Sequence, residues 1–320
     1  MLKVAFAGAW HVHFHQYATE LSGREDCEIV AIWDSEEARG KAAAQEFHCD
    51  FEPDYDKMLA RDDVQAIAVV SETNLHPELI IKAAQAGKHV FTEKVLAFTM
   101  EDALKIKDAI QKSGVKFCIP FFWRCRPEYL YTKNAVESGM LGKITYARVR
   151  NAHDGASSNW LPEYFYDPVP CGGGAMMDLG AHPMYLLRDL LGQPTAVTSV
   201  YTRIYDKPVE DNAVSLLEFG PVIASSETGF ASKHCPFMLE LTGTEGTLLW
   251  GGSEDKVWIN TGDGFKEAEL GEPLKRPTDQ WVDGILKNEP IHFGIDDAVA
   301  LTEIMEKAYQ SSSEHKRVTF

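Results

Sequence analysis

Apolar and polar positions alternate in two rhythms along the first third of the chain. Leu2 to Gly8 is a short apolar run rich in β-formers, and an amphipathic stretch from about His11 to Leu21 follows it, so a strand leading into a helix is predicted. The rhythm repeats: strands over Glu28–Trp33, Ala66–Val70, His89–Thr92 and Val115–Pro120, with helices over Glu36–Phe47, Leu75–Ala86 and Glu101–Lys112. Continuous apolar strands separated by helices of about a dozen residues call for a parallel sheet covered on both faces. This predicts a doubly wound α/β domain over residues 1–122. Beyond it, Ile144–Arg150 reads as a strand, Asp154–Gly173 as a loop rich in Gly, Pro and aromatics, and Met176–Leu191 as an apolar helix. From Ala196 to Leu270 strands follow one another without helices between, which indicates an antiparallel sheet. Helices near Thr278–Lys287 and Asp296–Ser312 come last, so residues 123–320 are expected to form an α+β domain with a large, mostly antiparallel open sheet.

Composition narrows the function. Of 320 residues, 31 are Lys or Arg and 48 Asp or Glu, a net charge of −17, while 45% hydrophobic and 25% charged content exclude disordered and fibrous classes. The negative surplus repels phosphate backbones and anionic lipid, so neither nucleic acid nor a membrane is an expected partner; a small-molecule substrate is. Six scattered cysteines with no CxxC pair read as reduced thiols in a cytoplasmic protein. No signal peptide and no apolar window of roughly 20 residues is apparent.

The first strand–helix turn carries candidate chemistry. In a Rossmann unit this turn uses glycines to let backbone approach a pyrophosphate at the helix N-terminus, and an acid some 20 residues on bonds the ribose. Here the turn reads Gly8-Ala9-Trp10-His11-Val12-His13, with Gly8 as first glycine and Trp10 and His13 in place of the second and third. Asp34 ends the second strand, where the ribose acid belongs; its charge repels a 2′-phosphate, so NAD is expected over NADP. A doubly wound domain without nucleotide is the bland alternative. His11, His13 and His15 invite a metal, but on a helix only His11 and His15 share a face and no acid or thiol accompanies them at ligand spacing, so no metal is expected. Either His11 or His13 lies against the dinucleotide, or all three are helix-surface residues.

Two further segments are more specific. Ser71-Glu72-Thr73-Asn74-Leu75-His76 runs on into Thr92-Glu93-Lys94, and Gly172-Gly173-Gly174 precedes Asp178-Leu179-Gly180-Ala181-His182. With the N-terminal unit these resemble the Gfo/Idh/MocA family, the glucose-fructose oxidoreductase and inositol dehydrogenase relatives. Glu93 and Lys94 match that family's Glu-Lys-Pro signature, with Val95 in place of the proline, and Asp178 and His182 match its Asp-x-x-x-His pair. Tyr309 to Ser312 and Arg317-Val318 look like its closing helix and strand. The resemblance implies a Rossmann domain in which Ser71, Thr73, Asn74, His76, Glu93 and Lys94 join Gly8, Ala9, Trp10, His11, His13 and Asp34 around NAD.

Asp178 and His182 are four apart, so on a helix they share a face, although Pro183 directly afterwards places them on a bent or first turn. Moving a hydride from a carbinol carbon leaves a hydroxyl proton that needs a base of near-neutral pKa, which suits His182. Asp178 either orients His182 or bonds a substrate hydroxyl, and Lys94 polarises the reacting oxygen or serves as base itself. Taken singly, Lys94 reads as a surface lysine, Asp178 as a helix cap and His182 as a core histidine. Arg124, Arg126, Trp160 and Tyr164 are candidate substrate contacts; the arginines could equally pair with the protein's own acids, and the aromatics pack at a subunit interface. The expectation is an NAD-dependent dehydrogenase acting on a sugar, cyclitol or related polyol, as a homodimer or homotetramer. Its rivals are an enzyme that retains NAD through a transient oxidation, and a ligand sensor that has lost catalysis.

Overall fold

A computed structural model describes residues 1–320. They fall into two compact units, Met1–Pro120 with Lys275–Thr302 and Phe121–Leu274 with Glu303–Phe320.

The first unit alternates β1 (Leu2–Ala7), α1 (Phe14–Ser22), β2 (Cys27–Trp33), α2 (Glu37–Glu46), β3 (Asp50–Phe51), α3 (Tyr55–Ala60), β4 (Ala66–Val69), α4 (His76–Gln85), β5 (His89–Thr92), α5 (Met100–Ser113) and β6 (Phe117–Cys118). The strands pair in parallel in the order β3-β2-β1-β4-β5-β6. Every residue of β4 is buried and so is nearly all of β1, as expected for strands covered on both sides. Helix α1 buries Phe14, Tyr17, Ala18 and Leu21, one stripe at helical spacing. Helix α5 starts where the Thr99 side chain accepts from the Asp102 amide and stops at Gly114 in the left-handed region. The order reverses at β1, which has β2 on one side and β4 on the other; the crevice beyond the carboxyl ends of these strands is where open α/β sheets bind ligands. Strand β3 and helix α3 are absent from the sequence-based expectation because both are too short to show a period.

The second unit holds α6 (Pro127–Glu137), β7 (Ile144–Ala152), α7 (Pro168–Cys171), a wide π-helical turn at Met176–Gly180, α8 (Ala181–Leu191) and the strands β8 (Ala196–Thr202), β9 (Asn212–Phe219), β10 (Val222–Gly229), β11 (Met238–Gly243), β12 (Thr247–Gly251), β13 (Lys256–Asn260) and β14 (Lys266–Glu267). The chain ends with α9 (Pro277–Leu286), α10 (Ile295–Glu314) and β15 (Val318–Thr319). The nine strands run β14-β13-β12-β11-β7-β10-β9-β8-β15, antiparallel except for the β7–β10 pair. On one face Ala147, Val149, Leu217, Ala224 and Leu239 are buried; on the other Val200, Val214, Leu216 and Ile223 lie exposed. Helix α6 escapes sequence reading because its buried side, Tyr129, Thr132 and Ala135, is barely apolar.

One segment departs from the expected boundary. The sequence reading places everything after residue 122 in the second domain, yet Lys275–Thr302 belongs to the first unit. Trp281 and Val282 of α9 join the core that contains Val4, Phe6 and Phe91, with the Phe91 and Trp281 rings 5.5 Å apart. Arg24 adds ion pairs to Asp279 and Asp283 at 2.8 and 2.7 Å. Such burial answers to three-dimensional proximity, which chain order alone does not reveal. No helix of the chain is long and apolar enough to cross a membrane.

Candidate functional site

The turn after β1 is built on Gly8. Its φ is +95°, and a Cβ there would lie 2.5 Å from the Ser71 Cα, so only glycine lets β1 and the chain leaving β4 pass this closely. Asp34, buried at the end of β2, accepts the Ala9 amide at 2.7 Å and the Glu36 amide at 2.8 Å. Turn and acid are therefore locked together, the relation a dinucleotide needs between its pyrophosphate and ribose sites. Arg39 forks onto Asp34 at 3.0 and 2.6 Å and also reaches Glu36 and Glu72. With three carboxylates around it, this guanidinium is already neutralised and does not present a site for a 2′-phosphate. The residues present fit NAD.

Helix α1 begins at Phe14, so the predicted helical start at His11 is corrected: His11 and His13 lie in the turn, and the expected pairing of His11 with His15 on one helix face does not exist. The His11 amide donates to the Val70 carbonyl at 3.2 Å and the His13 amide to His11 Nδ1 at 3.2 Å, bonds that hold a turn rather than a helix. His15 instead meets Glu46 on the surface. The His13 ring, standing where a third glycine would be, donates from Nδ1 to Glu93 Oε1 at 2.7 Å, and the Tyr17 hydroxyl donates to the same oxygen. Glu93 Oε2 accepts the Lys94 amide at 2.7 Å. Burial pushes the Glu93 carboxyl upward, but the His11 and His13 imidazoles, the His13 hydrogen bond and the Lys94 charge outweigh it and hold the carboxyl well below its usual range. Burial and the Glu93 charge together push the Tyr17 phenol well up, so it remains a donor.

His11, His13 and Glu93 bring three ligand-capable atoms within 4.8 Å of one another, an acid that sequence spacing does not disclose. His11 Nδ1 accepts the His13 amide, His13 Nδ1 donates to Glu93, and both Glu93 oxygens accept further donors, so hydrogen bonds account for these atoms. Beyond Lys94 the Lys94–Val95 peptide is cis, and the Val95 carbonyl accepts from Nδ1 of buried His76 at 3.1 Å. The lysine is thus held from both sides without the proline of the family signature. Ser71 and Thr73 are buried beside this segment's strand, whereas Asn74 is exposed.

In the second unit, Gly173 and Gly174 are required by packing. A Cβ on Gly173 would sit 2.0 Å from the Tyr309 hydroxyl, and one on Gly174 would sit 2.0 Å from the Glu210 carbonyl oxygen. Glu210 Oε1 accepts the Gly174 amide at 2.9 Å, the Met176 amide at 3.0 Å and the Tyr309 hydroxyl at 2.6 Å. This buried carboxylate caps the start of the wide turn that carries Asp178, and α8 then carries His182. Pro183 has no amide for the Leu179 carbonyl; Asn151 Nδ2 on β7 donates to that oxygen instead, at 3.2 Å. His182 is buried, its Nδ1 lies 3.0 Å from the Tyr185 hydroxyl, and the Phe122 ring meets it edge-on at 5.1 Å.

The tentative substrate residues are engaged locally. Arg124 pairs with Asp189 at 2.7 Å, and Arg126 pairs with Glu128 and Asp255 while its guanidinium lies over Trp123 and Trp250. Trp160 is exposed with its indole N–H on Asp154, and Tyr164 packs against a small core that includes Phe165 and Phe230. Tyr17, Arg39, Tyr185 and Glu210 went unnoticed in the sequence, and Tyr309 was read only as part of the closing helix. Tyr17, on α1, had a faint signal, four residues after His13; the pairing of Glu210 with Tyr309 had none, since 99 residues separate them.

Two family models cover most of the chain: the oxidoreductase family with NAD-binding Rossmann fold over residues 2–121, and the GFO/IDH/MocA C-terminal domain over residues 129–249. Among curated proteins the chain is 27% identical over 261 residues to scyllo-inositol 2-dehydrogenase (NAD(+)) of Bacillus subtilis (strain 168), covering 78% of this chain and 74% of the relative. It is 23% identical over 320 aligned residues to inositol 2-dehydrogenase of Rhizobium meliloti (strain 1021), covering 95% and 94%. Among solved structures, GenD2 from gentamicin A biosynthesis in complex with NAD superposes with a TM-score of 0.86 at 25% identity, over 100% of this chain and 96% of that one. With the Gly8 turn, the Asp34 acid and both sheets in place, the chain belongs to the Gfo/Idh/MocA family of oxidoreductases, with its NAD-binding Rossmann domain.

Proposed function

We propose that this protein is an NAD-dependent dehydrogenase that oxidises a secondary hydroxyl of a sugar, cyclitol or related polyol, or reduces the matching ketone. The observation that carries the reading is a buried histidine, His182, whose Nδ1 meets the Tyr185 hydroxyl at the start of α8, directly after the capped turn that carries Asp178. The two inositol dehydrogenases among the relatives support the substrate class.

The first unit binds the dinucleotide. Gly8 and Ala9 admit the pyrophosphate, Asp34 takes the ribose, and Trp10, His11, His13, Ser71, Thr73, Asn74, His76 and Glu93 shape the rest of the site. Bound nicotinamide supplies a hydride acceptor. His182 takes the carbinol proton as the hydride leaves, and returns it in the reverse direction. The Lys94 ammonium stabilises the negative charge that develops on that oxygen. Asp178 accepts from a neighbouring substrate hydroxyl, a bond that fixes which carbon reacts. The second unit supplies the substrate-binding residues, Trp160 and Tyr164 among them. Its exposed sheet face pairs with a second copy of the chain. Six thiols, none bonded to another, support a cytoplasmic location.

A panel of sugars, inositols and their keto forms, followed by nicotinamide absorbance with NAD and NADP in parallel, tests the proposal. NADH is expected to accumulate with at least one polyol. Product formation without net NADH would replace the reading by transient oxidation, and absence of NAD binding in calorimetry would overturn both.

A further inference from the structure

Sequence spacing offers Asp178 as a group that orients His182; the fold also brings the Tyr185 side chain to the imidazole. The Tyr185 hydroxyl stands 3.0 Å from His182 Nδ1, and both side chains are buried, at 2% and 4% exposure. The Tyr185 ring is stacked on Phe121, with centroids 4.2 Å apart and planes 15° apart, and it meets the imidazole nearly at right angles, at 79°. The two residues are three apart on α8, so the helix fixes their separation. We propose that Tyr185 is a positioning residue that sets the tautomer and the ring orientation of His182. The proposal rests on the acid/base reading of His182 for its kinetic consequence, although not for the tautomer itself.

A neutral imidazole carries one proton. To accept a substrate proton at Nε2 it must hold its own proton on Nδ1, and that N–H needs an acceptor in a site closed to water. The Tyr185 oxygen is that acceptor. When Nε2 takes the carbinol proton, the imidazolium keeps the same Nδ1–H···O bond, so neither ring nor phenol has to turn during the step. In the opposite tautomer the phenol would donate to Nδ1 and Nε2 would already be protonated, leaving nothing to receive the proton. Stacking on Phe121 keeps the phenol oxygen in place, which spares the reorganisation a mobile partner would require.

The test has a part that needs no turnover. Nitrogen-15 NMR of the histidine-labelled protein, with the His182 signals assigned by their loss in His182→Gln, is expected to show Nδ1 protonated and Nε2 unprotonated. Tyr185→Phe, which keeps the ring and its stacking, is expected to mix the two tautomers. It should also lower kcat about 10- to 100-fold, while substrate KM and NAD affinity stay within about twofold. A wild-type spectrum with the proton on Nε2 would overturn the proposal, and so would a Tyr185→Phe protein unchanged in both spectrum and kcat while His182→Gln is inactive. Undiminished turnover in His182→Gln would instead sink the acid/base reading; the spectra would still decide what Tyr185 does.

Discussion

Gly8 sits where two strands leave almost no room for a side chain, and its neighbour in space, Ser71, offers backbone rather than a flexible tip to give way. Gly8→Ala is therefore expected to cost at least about 1–3 kcal/mol in urea unfolding from the strained φ alone. It should also weaken NAD at least about tenfold in calorimetry. Asp34 poses a separate question. Its two oxygens each accept a backbone amide, from Ala9 and from Glu36, and both answer Arg39, so Asp34→Asn, with one acceptor oxygen left, gives up one of those bonds together with the charge that repels a 2′-phosphate. The ratio of kcat/KM for NAD over NADP is expected to fall by about tenfold, the scale of one charged hydrogen bond; an unchanged ratio would remove Asp34 from the ribose site. Both residues were visible in the sequence because their signals are local, a glycine after one strand and an acid after the next. Tyr17 and Glu93 were not seen as a pair because 76 residues separate them.

Between elements, the Glu93 carboxylate ties the end of β5 to the start of α1 through His13 and Tyr17. Its pKa is depressed in the folded state, so the stability it contributes is present above the unfolded carboxyl value, roughly 4.3, and is lost as pH falls through the lower native value. Glu93→Gln is expected to cost roughly 3–5 kcal/mol near neutral pH. Urea midpoints of the two proteins should begin to draw together as pH falls below about 4 and continue to do so further into acid; a gap that stays constant into acid would mean the charge of Glu93 is not what holds the two elements. In the second unit, Gly174→Ala would drive a Cβ into the Glu210 carbonyl and shift the wide turn. About a hundredfold loss of kcat is expected with NAD affinity unchanged, since a shift of about 1 Å at the reacting groups suffices. Element type was largely readable here, because long amphipathic helices and continuous apolar strands declare their period. The start of α1 was not, since His11 and His13 spend their ring nitrogens on turn contacts that no period encodes. Nor was the π-helical form of Met176–Gly180, which depends on Glu210 from the loop before β9 and on Asn151 of β7.

For the molecule as a whole, the nine-stranded sheet turns Val200, Val214, Leu216 and Ile223 outward, an apolar stripe flanked by the Arg148–Glu227 ion pair. A second copy is expected to cover it. Leu216→Lys should convert a dimer or tetramer to a smaller species in light scattering; a wild-type monomer at micromolar concentration would end this reading. The same scale shows where sequence order misleads most. Two domains were evident from the change of texture near residue 122, but the return of α9 was hidden because the chain records sequence neighbours and not spatial ones. Trp281 completes a core whose other members mostly lie before residue 120. During synthesis that core therefore stays open while some 160 further residues are added, roughly ten seconds or more at ordinary elongation rates. The nucleotide-binding half is the first to be made and among the last to close. A nascent chain arrested between the two units would present its apolar sheet to chaperones rather than to cofactor.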